Sequence, residues 1–296
     1  MMMRLRVIYL LILTCVLICK SVPPASAQMS LIELDTKISG QSITEYFSAI
    51  KTSEEITADQ ALHLLATDAQ AGSHYYGFVQ DYIWIGLSLK NSSLNSSWII
   101  EILNPNINFI DFYTKPSNGN PELMTSTGRA APMSSRDLMH TNFAFDIEVP
   151  PGKTVNILFM LDKRRSSLQY PVTIWSQNHF FQQQQLNYAY YGLYFGAFIF
   201  VALVSVIAYL LSFYNRILWY LLYLLSVGVF VFVDLGLAQK YIYPESQIIG
   251  GHSRIAISYF MIFTLNLFVM SYFSTRKHFK GKHPTNHVFT GRVIPV

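Results

Sequence analysis

The sequence predicts an all-β sandwich followed by α-helical transmembrane spans. Three observations carry that expectation. Between residues 82 and 175, short apolar runs alternate at a period of two, with no long helical pattern between them. The stretch Tyr190–Phe213, YYGLYFGAFIFVALVSVIAYLLSF, contains no charged residue. At about 1.5 Å per residue it makes a helix of roughly 36 Å, enough to cross a hydrocarbon core of about 30 Å. Beyond it, apolar stretches alternate with short polar turns.

The chain opens on a leader. Arg4 and Arg6 form a positive n-region, Val7–Cys19 an apolar h-region too short for a comfortable span, and Ala25-Ser26-Ala27 a small-x-small cleavage pattern. Residues 1–27 therefore read as a signal peptide, with Gln28 as the mature start and an uncleaved anchor as the alternative. Ile18 stands where a lipoprotein signal wants a small residue, which counts against lipidation of Cys19. Both cysteines, Cys15 and Cys19, lie in the leader. The exported domain is thus expected to rely on its core, without a disulfide or thiolate metal site. Hydrophobic residues make up 51% and charged residues 13% of the chain, with the apolar excess concentrated after residue 188. The net charge of +4 collects at the two ends, which is not the basic stripe of a nucleic-acid binder.

Residues 28–180 are expected to form the extracytoplasmic sandwich. Ile56–Ala66 (ITADQALHLLA) reads as a short helix capped by Thr57, with His63 an ordinary packing or surface residue on it. The period then changes to two: Ile83, Ile85, Leu87 and Leu89 share one face of a strand, and Asn91-Ser92-Ser93 marks its turn. Further strands are expected over Trp98–Leu103, Ile107–Tyr113, Phe143–Val149, Asn156–Leu161 and Tyr170–Trp175, with loops at Lys115–Gly119 and Gly128–Arg136 and a turn at Pro150-Pro151-Gly152. Short strands at this spacing argue an antiparallel sandwich. The domain has no HExxH, Gly-rich phosphate loop, nucleophile elbow or paired carboxylates, and no catalytic residue, metal site or cofactor is assigned. Trp84, Trp98, Tyr113 and Trp175 offer flat rings that stack on sugars, or they fill the core. Arg136 either clamps an anionic or hydroxyl-rich ligand or satisfies loop carbonyls. The candidate ligand-binding set is Trp84, Asn91, Tyr113, Arg136 and Trp175.

Residues 181–189, with the polar run Gln182–Gln185, read as a linker into spans expected at 190–213, 217–238 and 255–273. Tyr188, Tyr190, Tyr191 and Tyr194 crowd the outer end of the first span like an interfacial belt. The basic tail 274–296, with Arg276, Lys277, Lys280 and Lys282, is expected in the cytoplasm; three crossings from an exported domain require the same. Asp234 and Asn266 are the intramembrane polar candidates: Asp234 is either functional or solvated at the outer end, and Asn266 is placed to hydrogen-bond a neighbouring helix.

Several stretches, in order, resemble a known family. Tyr82–Asn91 resembles a W-hydrophobic-x-x-x-hydrophobic-x-N strand, and Asn108–Tyr113 a strand ending in D-hydrophobic-Y. Thr127-Gly128 with Pro132 and Arg136 resembles a TG…P…R loop, and Pro171–Ser176 the strand before the membrane. Tyr191–Gly196, Leu218–Tyr223, and Gly236 through Tyr243-Pro244 resemble the first span, the second span and the following loop. The family is the bacterial 7TMR-DISM receptors, seven-transmembrane receptors with diverse intracellular signalling modules, carrying the type 2 extracellular domain. The resemblance implies a jelly-roll-like sandwich sensing carbohydrate or a related small molecule. It also implies membrane helices that pass the signal to a histidine kinase or diguanylate cyclase. Three of seven spans are seen, and no H-box, ATP-binding Gly-rich segment or GGDEF stretch. The expectation is a truncated gene product or an output lent by a partner, in a bacterial inner membrane. A partner-binding membrane subunit without a small-molecule ligand is the alternative. A transporter fragment rests on Asp234 and Asn266 alone.

Overall fold

The computed structural model describes residues 29–71, 75–116 and 119–273; the leader 1–27 and the basic tail 274–296 lie outside the described residues. The chain divides into two units. One holds the described residues up to Gln184 together with Gly236–Gly251; the other holds Gln185–Leu235 and the described residues from His252.

In the first unit the strands are β1 (Leu31–Leu34), β2 (Gln41–Ser42), β3 (Ser48–Thr52), β4 (Gln70–Ala71), β5 (Tyr75–Val79), β6 (Tyr82–Asn91), β7 (Ser97–Ile102), β8 (Phe109–Pro116), β9 (Glu122–Thr127), β10 (Phe143–Glu148), β11 (Thr154–Asp162), β12 (Ser166–Gln169) and β13 (Val172–Ser176). One sheet runs β4-β3-β6-β11-β8-β9, with β1 added parallel to the end of β6; the other runs β10-β7-β13-β2; β5 and β12 pair separately. The eight strands β2, β6, β7, β8, β9, β10, β11 and β13 follow one rule. The first pairs with the last (β2 with β13), the second with the seventh (β6 with β11), the third with the sixth (β7 with β10) and the fourth with the fifth (β8 with β9), all antiparallel. A single two-stranded ribbon has been rolled into two facing sheets, which is jelly-roll topology.

The alternation in β6 explains the layers. Ile83, Ile85, Leu87 and Leu89 are fully buried between the sheets. There Phe112 stacks on Phe159 at 4.7 Å, and Phe145 of the opposite sheet meets them at 5.1 and 5.2 Å. On the outer face of β6, Trp84 joins Ile50, Leu158 and Met160 beneath the helix α1 (Ala58–Thr67), whose Ala61 and Leu65 are fully buried. Thr57 caps α1 through a capping box with Gln60, and this reciprocal pair starts the helix where the sequence places it.

The second unit contains most of α2 (Gln177–Ser212), all of α3 (Asn215–Asp234) and the apolar part of α5 (Gln247–Tyr272); the five-residue α4 (Leu237–Tyr241) belongs to the first unit. Among the described residues, three helices are long and apolar enough to cross a membrane: Gln177–Ser212, Asn215–Asp234 and His252–Tyr272. Three boundaries differ from the sequence reading, and one of them is the start of the third long helix, at Gln247 rather than 255. The stretch 181–189 is helix rather than linker, because its glutamines are good helix formers and no Gly or Pro interrupts them. The second apolar helix stops at Asp234 rather than 238, because Gly236 takes a left-handed backbone (φ 74°) and turns the chain. Inside this unit Phe198 packs onto Gly228, where any side chain would collide with its ring, and the hydroxyls of Ser226 and Thr264 hydrogen-bond at 2.8 Å.

Candidate functional site

The TG…P…R loop is held by several separate contacts. Gly128 passes so close to the Asn108 carbonyl that no Cβ fits. The Thr127 and Ser135 hydroxyls hydrogen-bond at 2.7 Å, and Pro132 precedes a 3-10 turn over Met133–Ser135. Arg136 is buried, and both terminal nitrogens of its guanidinium are engaged with protein groups, while Nε has no hydrogen-bond partner among the described residues. Nη1 donates to the carbonyls of His140 (2.6 Å), Thr141 (3.0 Å) and Asn142 (3.4 Å), while Nη2 donates to Gln239 Oε1 at 3.1 Å. The Phe143 ring lies 4.4 Å beneath it. Burial lowers its pKa to about 10, so it remains a cation at neutral pH.

Gln239, on α4, returns the contact: its amide donates to the carbonyls of Arg129 (3.2 Å) and Ala131 (3.3 Å). The Met133 N–H donates to the Pro244 carbonyl at 2.7 Å, and Ser134 donates to Glu245 at 2.9 Å. Gly236 lies against the Thr141 carbonyl, where a Cβ would approach to 3.0 Å. The segment 236–245 is thus latched onto the 128–142 loop.

Beside the latch, on the outer face of β7, Glu101 is buried at 4% exposure. It accepts from the Asn142 amide at 2.8 Å and the Trp175 indole at 2.9 Å. Burial raises its pKa, against those two hydrogen bonds. His140 Nε2 is 3.5 Å from Glu101. Burial, and then the Lys240 and Arg136 charges, push the His140 pKa down to about 3, so the contact is not an ion pair at neutral pH. The Asn142 N–H reaches His140 Nδ1 at 3.3 Å, which leaves the imidazole proton on Nε2, facing Glu101. Phe180, on the first turn of α2, closes the cluster over His140, Ile99 and Ala144.

The sequence candidates therefore fall in three places. Arg136 and Trp175 meet in this cluster. Trp84 and Tyr113 lie together on the opposite sheet, rings 5.7 Å apart, with Trp84 buried and Tyr113 half-buried. Asn91 is fully buried and pins two turns, donating to the carbonyls of Asn95 and Val149 and accepting from Ser93. In the second unit Asp234 pairs with Arg254 at 2.6 Å, and Asn266 donates to Ile262 of its own helix rather than to a neighbour. Glu101, His140, Asn142 and Gln239 escaped the sequence reading. A lone acid inside the Trp98–Leu103 strand was the available signal for Glu101. Gln239 carried none.

A model of the 7TMR-DISM extracellular 2 domain matches residues 44–176, and a model of the 7TM diverse intracellular signalling domain matches residues 187–293. The chain belongs to the 7TMR-DISM receptor family. As a member it is a multi-pass membrane protein with an extracytoplasmic N-terminal domain, and its two domains are of receptor type, not enzymatic families. No curated protein matches the chain. Among solved structures, a β-glucosidase from Kluyveromyces marxianus in complex with glucose aligns at 13% identity and TM-score 0.27, over 49% of this chain and 17% of its own. TmCBM61 in complex with β-1,4-galactotriose aligns at 6% identity and TM-score 0.23, over 46% and 86%. Scores this low carry no argument about the 7TMR-DISM chain.

Proposed function

We propose that this 7TMR-DISM chain is the receiving portion of a sensory receptor. Its sandwich takes a small, carbohydrate-like ligand outside the inner membrane, and its helices pass the change to a cytoplasmic histidine kinase or diguanylate cyclase. That output resides in another polypeptide or in further sequence. The observation that carries the reading is the Arg136–Gln239 latch. It makes the segment between α3 and α5 part of the sandwich unit, so the chain passes between the two units at 184/185, 235/236 and 251/252. A ligand that shifts the 128–142 loop pulls on two helices through this segment, while α2 leaves β13 directly at Gln177. The candidate residues do not line one site: Trp175 and Arg136 belong to the cluster beside the latch, Trp84 and Tyr113 to the outer face of the opposite sheet, and Asn91 to a pair of turns. Arg216 and the basic run after residue 275 support a cytoplasmic C-terminus.

The test is hydrogen exchange of the full chain in nanodiscs against neutral and acidic mono- and oligosaccharides. A compound that protects the sandwich is expected also to change exchange over residues 236–246. The Gln239→Leu variant keeps the first effect and loses the second. Binding that never alters 236–246 defeats the transmission route.

A further inference from the structure

A second feature of the sandwich adjoins the latched loop, whose Gly128 packs against the Asn108 carbonyl. Three turns meet there. Asp162 at the end of β11 pairs in register with Phe109 at the start of β8, and Ser166 at the start of β12 pairs with Val79 at the end of β5. Between them a groove of about 580 Å³ is lined by Phe78, Gln80, Asn108, Phe109, Asp162, Arg164 and Arg165. That volume falls in the range of small-molecule sites.

The two arginines differ. Arg164 is engaged: it holds Asp162 through Nε at 3.0 Å and Nη2 at 2.9 Å, and its guanidinium lies 4.1 Å over the Tyr82 ring. Arg165 sits in a left-handed backbone (φ 65°), rare for a residue with a side chain, fixed by its N–H donating to the Val79 carbonyl at 2.8 Å. Its side chain is exposed and makes no hydrogen bond or ion pair among the described residues. With Arg164 and Asp162 neutralising each other, the lining carries one uncompensated positive charge. A second negative charge on a ligand would find no further uncompensated cation in the lining. Phe78, 67% exposed, and Phe109, 45% exposed, present apolar rings beside it, and Gln80 and Asn108 add amide donors and acceptors.

From this geometry we infer that the groove is the receptor's ligand site, built for a monoanionic ring carboxylate. The carboxylate is held by Arg165, and the apolar ring face lies on Phe78 and Phe109. A guanidinium takes a carboxylate through two parallel hydrogen bonds, and a flat ring face suits exposed aromatics. The inference rests on the sensory reading above and names the ligand class for it. Sugar acids and aromatic acids share the required chemistry, and neutral sugars lack it.

The experiment uses saturation-transfer NMR on the full chain in nanodiscs, with glucuronate against glucose and phenylacetate against phenylacetamide. At least one acid is expected to bind ten-fold or more tightly than its neutral partner. Arg165→Gln is expected to weaken that acid at least ten-fold, and Phe78→Ala several-fold, without changing the melting temperature. Equal binding of acid and neutral partners, failure of both acids to bind, or acid binding indifferent to Arg165→Gln overturns the site. Hydrogen exchange over 236–246 separates this inference from the sensory reading. Arg165-dependent binding that leaves 236–246 unchanged supports the groove and removes transmission. A saccharide response at 236–246 that survives Arg165→Gln keeps transmission and removes the groove.

Discussion

Arg136 shows how one residue can be legible in type and open in role. The TG…P…R pattern marks it, and both a ligand clamp and a carbonyl anchor suit a loop arginine. The structure gives its donors three carbonyls and Gln239. A lysine keeps the charge but lacks the planar fork that spans these acceptors. Arg136→Lys should therefore cost about 2 kcal/mol of local stability, with buried carbonyls left unmet. Hydrogen exchange over 128–142 would read the loss, and unchanged protection would contradict it. His140 gives a pH dependence. Its folded pKa of about 3 lies below the ordinary 6.5, so stability is full above about 6.5 and falls as the pH drops toward 3. From that linkage, pH 5 should cost about 2 kcal/mol relative to neutrality. Glu101 works oppositely: its raised pKa favours the fold as the pH falls. His140→Gln should shrink the fall in melting temperature between pH 7 and pH 5, and an undiminished fall would exclude His140 as its source. Neither residue was assigned a role in advance: a buried acid inside a strand has the same sequence spacing as an exposed one, and His140 lies in a loop that has no period to read.

At the scale of elements, the strands with clean alternation were readable. Ile83–Leu89 and Phe143–Ile147 fall on the buried faces that a period of two assigns them. The two-residue strands β2 and β4 and the four-residue β1 and β12 were not readable, since they are too short to show a period and are placed by their partners. The helix start at Thr57 was readable because a capping box is local chemistry. Thr57→Ala should cost about 1 kcal/mol, read as faster exchange across residues 58–67. In the second unit, the hydrogen bond between helices runs from Ser226 to Thr264, not through Asn266, whose amide reaches its own backbone. Small residues that admit a neighbour are often decisive where lipid offers no hydrophobic drive. Gly228→Leu should therefore push Phe198 away and separate α2 from α3. Loss of disulfide trapping between cysteine pairs on the two helices would report it, and trapping equal to that of the parent pair would count against it.

At the scale of the molecule, helix lengths and the latch together predict a topology. The 20 residues of α3 rise about 30 Å, close to the thickness of a hydrocarbon core, so its ends Asn215 and Asp234 fall at opposite interfaces. Arg254 pairs with Asp234 and both side chains are only partly buried, which suits an interface where charges keep access to water. The connection after Asp234 is latched to the sandwich, so it must share the sandwich's side of the membrane, while the turn at Phe213 and Tyr214 lies on the other. Cysteines introduced one at a time give the measurement. Leu94 is 97% exposed in the sandwich, Ile242 is 69% exposed in the latched segment, and Tyr214 is 68% exposed in the turn. In intact spheroplasts a membrane-impermeant maleimide should label Leu94→Cys and Ile242→Cys above the background of the unsubstituted chain. Tyr214→Cys should label only after permeabilisation. Labelling of Tyr214→Cys in sealed cells, or protection of Ile242→Cys, would mean that α3 does not cross the bilayer, and the latch would then join surfaces on one side only.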